Sequence, residues 1–153
     1  MRPEAINSIL GDLEHRLGVR SAPRESYRWM NAEELRALAS GEGLDIGAHT
    51  LTHPFLASLD LDEQRREIDG SRRSLERALE RNVTLFSYPY GGNDAVDAVT
   101  TKLVNDAGYT MACTATGGIA RAECDPLRIP RNVVGDWEAE RFEQWLDHWL
   151  TAA

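Results

Sequence analysis

The sequence contains no apolar run approaching the roughly 20 residues that a membrane-spanning helix needs, so no such span can be placed on it. Its first residues, "MRPEAINSIL", have neither the long apolar stretch nor the small-residue cleavage site of a signal peptide. The chain by itself therefore reads as cytoplasmic. Positive charge is scarce: 17 Lys and Arg stand against 25 Asp and Glu, for a net charge of −8 and a pI near 5.0. That balance argues against a nucleic-acid or anionic-membrane surface as partner. Only two cysteines occur, Cys113 and Cys124, and they lack CxxC spacing. Without an export signal such a pair reads as free thiols. No repeat or low-complexity segment appears.

What remains is enough for one domain with its own core: 153 residues, 42% hydrophobic, with four tryptophans to pack. Pro3 at a first turn, then Ile6, Leu10, Leu13 and Leu17 at helical spacing before Gly18, predict a helix over 3–17. "RSAPRES" (20–26) reads as a polar linker. Asn31 caps a short helix over 32–40. Asp60-x-x-Glu63 forms a capping box for a helix through residue 81, with Leu61, Ile68, Leu75 and Leu79 as its apolar stripe. The charged remainder of that helix, "EQRRE" and "SRRSLER", reads as a solvated face. A helix is predicted over 94–107, and a last one capped by Asp136. The last carries Trp137, Phe142, Trp145, Leu146 and Trp149 as a core-facing stripe.

Between these helices lie strand-like segments: 44–49, 83–88, 109–114 and 127–134. Alternating strands and helices imply an α/β fold with a parallel sheet, open or rolled into a barrel. In such folds the site lies where strand C-termini meet their loops. Three loops sit at such ends: "GAHTLTHPF", "SYPYGG" and "TATGG".

His49 and His53 are the candidate metal ligands. Two histidines at i,i+4 on a helical turn can both reach one ion at about 2.0–2.1 Å. A third protein ligand, normally a carboxylate, is needed, with an open position left for water. Asp45 is a poor candidate, because four residues of extended strand place it about 13 Å from His49.

"HTLTHP" resembles the second motif of the polysaccharide deacetylases, the NodB-like carbohydrate esterases, and "YPYGG" resembles the third. "GLDIGAHTLTHPFLASL", "RNVTLFSYPYGG", "AGYTMACT" and "LRIPRNVV" follow that family's order and approximate spacing over residues 30–150. The resemblance implies a partial or distorted (β/α) barrel, preceded here by an N-terminal helix and linker (1–29), with the deacetylase-like domain over 30–153. It also implies a divalent metal, often zinc, held by His49, His53 and an aspartate. On the same grounds the Tyr90 N–H helps stabilise a tetrahedral oxyanion, with Pro89 and Gly91 shaping its loop. Thr50 is the structural hydroxyl of the histidine motif. Arg131, in the late strand, faces the pocket to bind an anionic group on the substrate, or else packs or pairs at the surface.

The sequence departs from the family pattern at several points. The family's first motif, a strand ending in two adjacent aspartates that supply base and third ligand, has no counterpart here. Asp12, in the first helix, is the only aspartate before residue 45. Ser87 stands where the third motif usually opens with arginine. No histidine in "LRIPRNVV" serves as general acid, and His148 reads as structural or surface. The expectation is a metal-dependent hydrolase that removes acetyl groups from N-acetylated, less readily O-acetylated, sugars or polysaccharides. Full activity should need an upstream segment, and the isolated chain should self-associate through an interface that hides its exposed sheet edge. The alternative is a non-catalytic metal- or carbohydrate-binding module.

Overall fold

A computed structural model describes residues 3–19 and 27–151. The expected linker, 20–26, lies outside the described residues. Helix α1 spans Pro3–Leu17, as its spacing predicts, and its stripe of Ile6, Ile9, Leu10, Leu13 and Leu17 is exposed. Helix α2 (Ala32–Ala39) begins at a capping box in which the Asn31 side chain accepts from the Glu33 and Glu34 N–H groups. Helix α3 (Leu61–Leu79) starts at the expected Asp60–Glu63 capping box. Glu80 closes it in a left-handed conformation, φ 54°.

Strands β1 (Leu85–Ser87) and β2 (Met111–Cys113) pair in parallel, with Phe86 opposite Ala112. The outer two expected strands shrink to single parallel bridges, Ala48 on Phe86 and Ile129 on Cys113. Pro130 explains one of these losses: it has no N–H with which to extend a ladder. Helix α3 crosses between the Ala48 segment and β1, and α4 (Ala98–Asp106) crosses between β1 and β2. Four parallel segments thus lie side by side in chain order. Helix α4 begins later than the sequence suggests, because Asp97 caps it, accepting from the Thr100 N–H at 2.7 Å.

The core fills one face of this sheet. Ala48, Phe86 and Ala112 meet Ile68 of α3 and Leu103 and Val104 of α4, all nearly excluded from water. Each large aliphatic side chain buried there contributes about 1.5–3 kcal/mol. The polar groups in this layer are paired. Thr100 Oγ1 donates to Gln64 Oε1, and Tyr109 Oη donates to the Ile68 carbonyl. Cys113 and Cys124 are free thiols, as their spacing implies.

Helix α5 (Ala139–Thr151) corrects two expectations. It starts at Ala139, three residues beyond the expected Asp136 cap, and none of its residues is buried. Phe142 and Leu146 are exposed, and the aromatic stripe packs largely on itself, Trp145 lying against Trp137, Phe142 and Trp149. No apolar face among the described residues covers it; Val133 and Val134, just before the helix, are also exposed.

Tyr88 gives a testable consequence of this packing. It is 1% exposed, its Oη donates to the Leu127 carbonyl at 2.9 Å, and burial pushes its hydroxyl up to about 12. An unfolded tyrosine titrates near 10. Above that pH the unfolded chain releases a proton that the folded one keeps, so this contribution is complete below pH ~10 and declines as pH rises toward 12. Y88F should flatten part of that decline in urea melts taken from pH 9 to 11.5. At neutral pH it should cost about 1 kcal/mol for the lost hydrogen bond. Tyr109, also raised by burial, keeps its own share of the decline in that variant.

Candidate active site

The histidine loop leaves the sheet at Ala48, whose N–H donates to the Leu85 carbonyl and whose carbonyl accepts from the Ser87 N–H. Its next residues depart from the expected helical turn. Residues 49–53 form an irregular loop, and the imidazoles converge because Thr50 (φ 65°) and His53 (φ 58°) both adopt left-handed backbone. That conformation is a marked outlier for a β-branched residue, and for one preceding a proline. Thr50 closes the turn on itself: its Oγ1 donates to the His49 carbonyl at 2.6 Å and accepts from the His53 N–H at 3.1 Å.

The two rings stand 4.8 Å apart, centroid to centroid, at 67°. His49 Nδ1 lies 2.7 Å from the Ser87 carbonyl, which can only accept, so Nδ1 is the donor and the ring presents Nε2 to the site. Two imidazoles sharing a tetrahedral ion at 2.0–2.1 Å have centroids about 5 Å apart. The separation of the pair matches that spacing. Among the described residues no three His, Cys, Asp or Glu side chains form a group able to hold an ion.

Tyr90 faces this pair from the next loop. Its ring lies 5.0 Å from His53 and 5.8 Å from Phe55. Pro89 is buried, and its carbonyl accepts from the Gly91 N–H at 2.7 Å, closing a three-residue turn around Tyr90 at φ 62°. This hand of turn is rare and strained away from glycine. The Tyr90 N–H donates to no protein acceptor among the described residues. Of the four non-glycine residues with positive φ among the described residues, Thr50, His53 and Tyr90 lie in these two loops. Such strain persists only where the surroundings over-determine it, and it gathers at functional sites.

Gly91 ties the second loop to the third. Its carbonyl accepts from the Ala115 N–H at 2.8 Å, and a Cβ at Gly91 (φ +64°) would stand 2.5 Å from the Ala115 nitrogen. Backbone cannot yield there. G91A should cost about 2–4 kcal/mol in urea unfolding, combining left-handed strain with overpacking. Arg131 joins the same end: its Nε donates to the Thr114 carbonyl at 2.8 Å, and its N–H to Thr116. The three loops at the strand C-termini thus meet, as expected. An open groove of about 750 Å³ lies at the opposite end, between α4 and the segments entering β2 and Ile129. It is remote from the histidines.

Sequence reasoning missed two participants. Glu67, within the supposedly solvated "EQRRE", has its carboxylate turned onto the histidine loop. Gln64 of the same stretch is buried. Gly70, a glycine in a helix interior, was the available signal that something approaches α3 closely there. Ser87 is the second: besides anchoring His49, its Oγ is buried without a hydrogen-bond partner, the only such side-chain atom among the described residues.

Comparison with known proteins gives the family. The Bacillus subtilis polysaccharide deacetylase homologue YxkH is 28% identical over 91 residues, covering 60% of this chain and 31% of its own length. Among solved structures, the Streptococcus pyogenes deacetylase PplD, in complex with acetate, superposes with a TM-score of 0.68 at 22% identity. That match covers 78% of this chain and 51% of PplD. A Bacillus cereus polysaccharide deacetylase gives 0.64 at 23% identity, covering 75% of this chain and 36% of its own. The chain thus spans about a third to a half of the length of these relatives. The family model for polysaccharide deacetylases matches residues 21–112, a stretch that includes both the histidine loop and the tyrosine turn, and by that match the chain belongs to the polysaccharide deacetylase family.

Proposed function

We propose that this chain carries the metal-holding and oxyanion-stabilising part of a hydrolase that removes acetyl groups from N-acetylated, less readily O-acetylated, polysaccharides. The observation that carries the reading is the convergence of His49 and His53, Nε2 of His49 free, beside the strained Tyr90 turn. The imidazole pair suits a divalent ion of zinc's softness. When bound, such an ion supplies Lewis acidity and an acidified water.

The remaining contributions belong to the chain itself. The His49 ring is held by the Ser87 carbonyl, and Thr50 Oγ1 holds the backbone N–H of His53, so the His49 ring and the backbone that carries His53 are set before any ligand arrives. The Tyr90 N–H, free of other acceptors, is the donor for negative charge developing on the acetyl oxygen. Pro89 and Gly91 keep that N–H fixed through the tight turn. Arg131 retains its terminal N–H groups for a hydroxyl or anionic group of the sugar, since only its Nε is engaged. The chain-order parallel sheet supports a partial (β/α) barrel for residues 30–153, with residues 1–29 as an accessory helix and linker.

Among the described residues, the general base, the general acid and a third ligand have no counterpart grouped with the pair. We take the aspartate pair to come from a segment outside these 153 residues. The buried, unpartnered Ser87 hydroxyl supports a neighbour still to be docked there. The incomplete ligand set equally motivates a second reading, a non-catalytic metal- or carbohydrate-binding module. Acetate release from a chitin-type oligosaccharide, with zinc and a complementing segment, separates the two: only the first reading gives turnover.

A further inference from the structure

We propose that Glu67 and Gly70 of α3 are the positioning residues of the histidine loop, setting the His49–His53 separation from outside the pair. This rests on the reading of the pair as an ion holder, and it is argued from the loop's own bonds. The left-handed turn at Thr50 leaves the next two N–H groups, those of Leu51 and Thr52, without a sheet partner. Glu67 Oε2 accepts both, at 2.8 and 2.9 Å, while Oε1 accepts the Thr52 Oγ1–H at 2.7 Å. Bonds to an ionised carboxylate are about twice as strong as neutral ones. Both oxygens face the loop, so Glu67 acts on the loop rather than as an ion ligand.

One turn further along α3, Leu51 is seated on Gly70. A Cβ at Gly70 would stand 2.4 Å from Leu51 Cδ1 and 3.2 Å from Cγ. Glycine weakens a helix interior, and its presence in α3 is accounted for by this contact. Residues 67 and 70 share one helix face, so a single face of α3 grips the residues that separate the two histidines. On the other side His49 is fixed to Ser87 of β1. Releasing the α3 grip lets the left-handed residues relax and the rings part, because among the described residues no other hydrogen bond to Leu51 or Thr52 is made, and the bridge through Thr50 Oγ1 ties only the two ends of the turn.

The test uses the whole 153-residue chain and the variants E67A, E67Q and G70A. In the ion-free protein, amide exchange at Leu51 and Thr52 and the His49–His53 ring contact are followed by NMR; zinc affinity is then measured by calorimetry. E67A should speed exchange at Leu51 and Thr52 at least about tenfold and abolish the ring contact, leaving core amides such as Val104 protected. Zinc affinity should fall about 10- to 100-fold, as for other groups that orient metal ligands. E67Q, which keeps one acceptor oxygen, should fall between wild type and E67A, and G70A should act in the same direction through Leu51. Unchanged ring contact and zinc affinity in E67A would overturn the proposal, as would exchange that rises equally at Val104. If wild type takes up no zinc, the metal reading fails, and the ion-free measurements still decide the role of Glu67. Should E67A not fold, E67Q and G70A carry the same readings.

Discussion

Acetate release by this chain should rise about 10²- to 10⁴-fold when a segment bearing a strand with two terminal aspartates is fused or co-expressed upstream. The figure is what general acid–base assistance is worth, and a better-held metal adds to it. The residues already present justify expecting rescue rather than slow assembly. His49 and His53 stand at contact distance, the Tyr90 N–H is free, and Gly91 is bonded to the third loop. An incoming carboxylate has only to dock, because the loops that face it are held. The chain alone should hydrolyse a chitin-type oligosaccharide feebly at best, with or without zinc. Acetate measured by an enzyme-coupled assay decides the matter. Full activity from the 153 residues alone would show that base and acid are present here and were misassigned. No gain from the added segment would favour the binding module.

The second large effect concerns the ion. Zinc binding by the isolated chain should be weak and wholly dependent on the histidine pair. Two neutral nitrogens give the ion neither charge compensation nor a closed tetrahedron, and no third ligand group occurs among the described residues. H49A and H53A should each lower affinity by more than about 100-fold, beyond the 10- to 100-fold that loss of an orienting partner costs. Both variants should fold, since both side chains are exposed and the core lies on the far face of the sheet. Titration calorimetry with matched thermal melts separates lost binding from lost structure. Tight binding that survives both changes would place the ligands elsewhere.

Much of this was legible in the residues. An N-cap at Asn31 and a capping box at Asp60 located two helix starts, and β-branched and aromatic runs located β1 and β2. The histidine and tyrosine loops were found because their motifs sit at strand ends. What was misread has physical reasons. The i,i+4 histidine spacing suggested a helical turn, yet the loop reaches the same convergence through positive φ at Thr50 and His53, which sequence does not announce outside glycine. The last strand was overestimated because β-propensity does not register the missing N–H of Pro130. The α5 stripe was assigned to the core because periodicity reveals an apolar face without revealing what covers it. Glu67 was hidden in a charged run, where one inward-facing carboxylate looks like its solvated neighbours.

The most direct test of the central claim, that His49 and His53 together hold a metal ion, is zinc K-edge X-ray absorption on the loaded chain. The expected spectrum shows two imidazole nitrogens at about 2.0–2.1 Å, with the remaining ligands light oxygen atoms, and the imidazole signal vanishes in the H49A/H53A double variant. A sulfur shell at about 2.3 Å, implicating Cys113 or Cys124, or an imidazole signal that persists in the double variant, would contradict it.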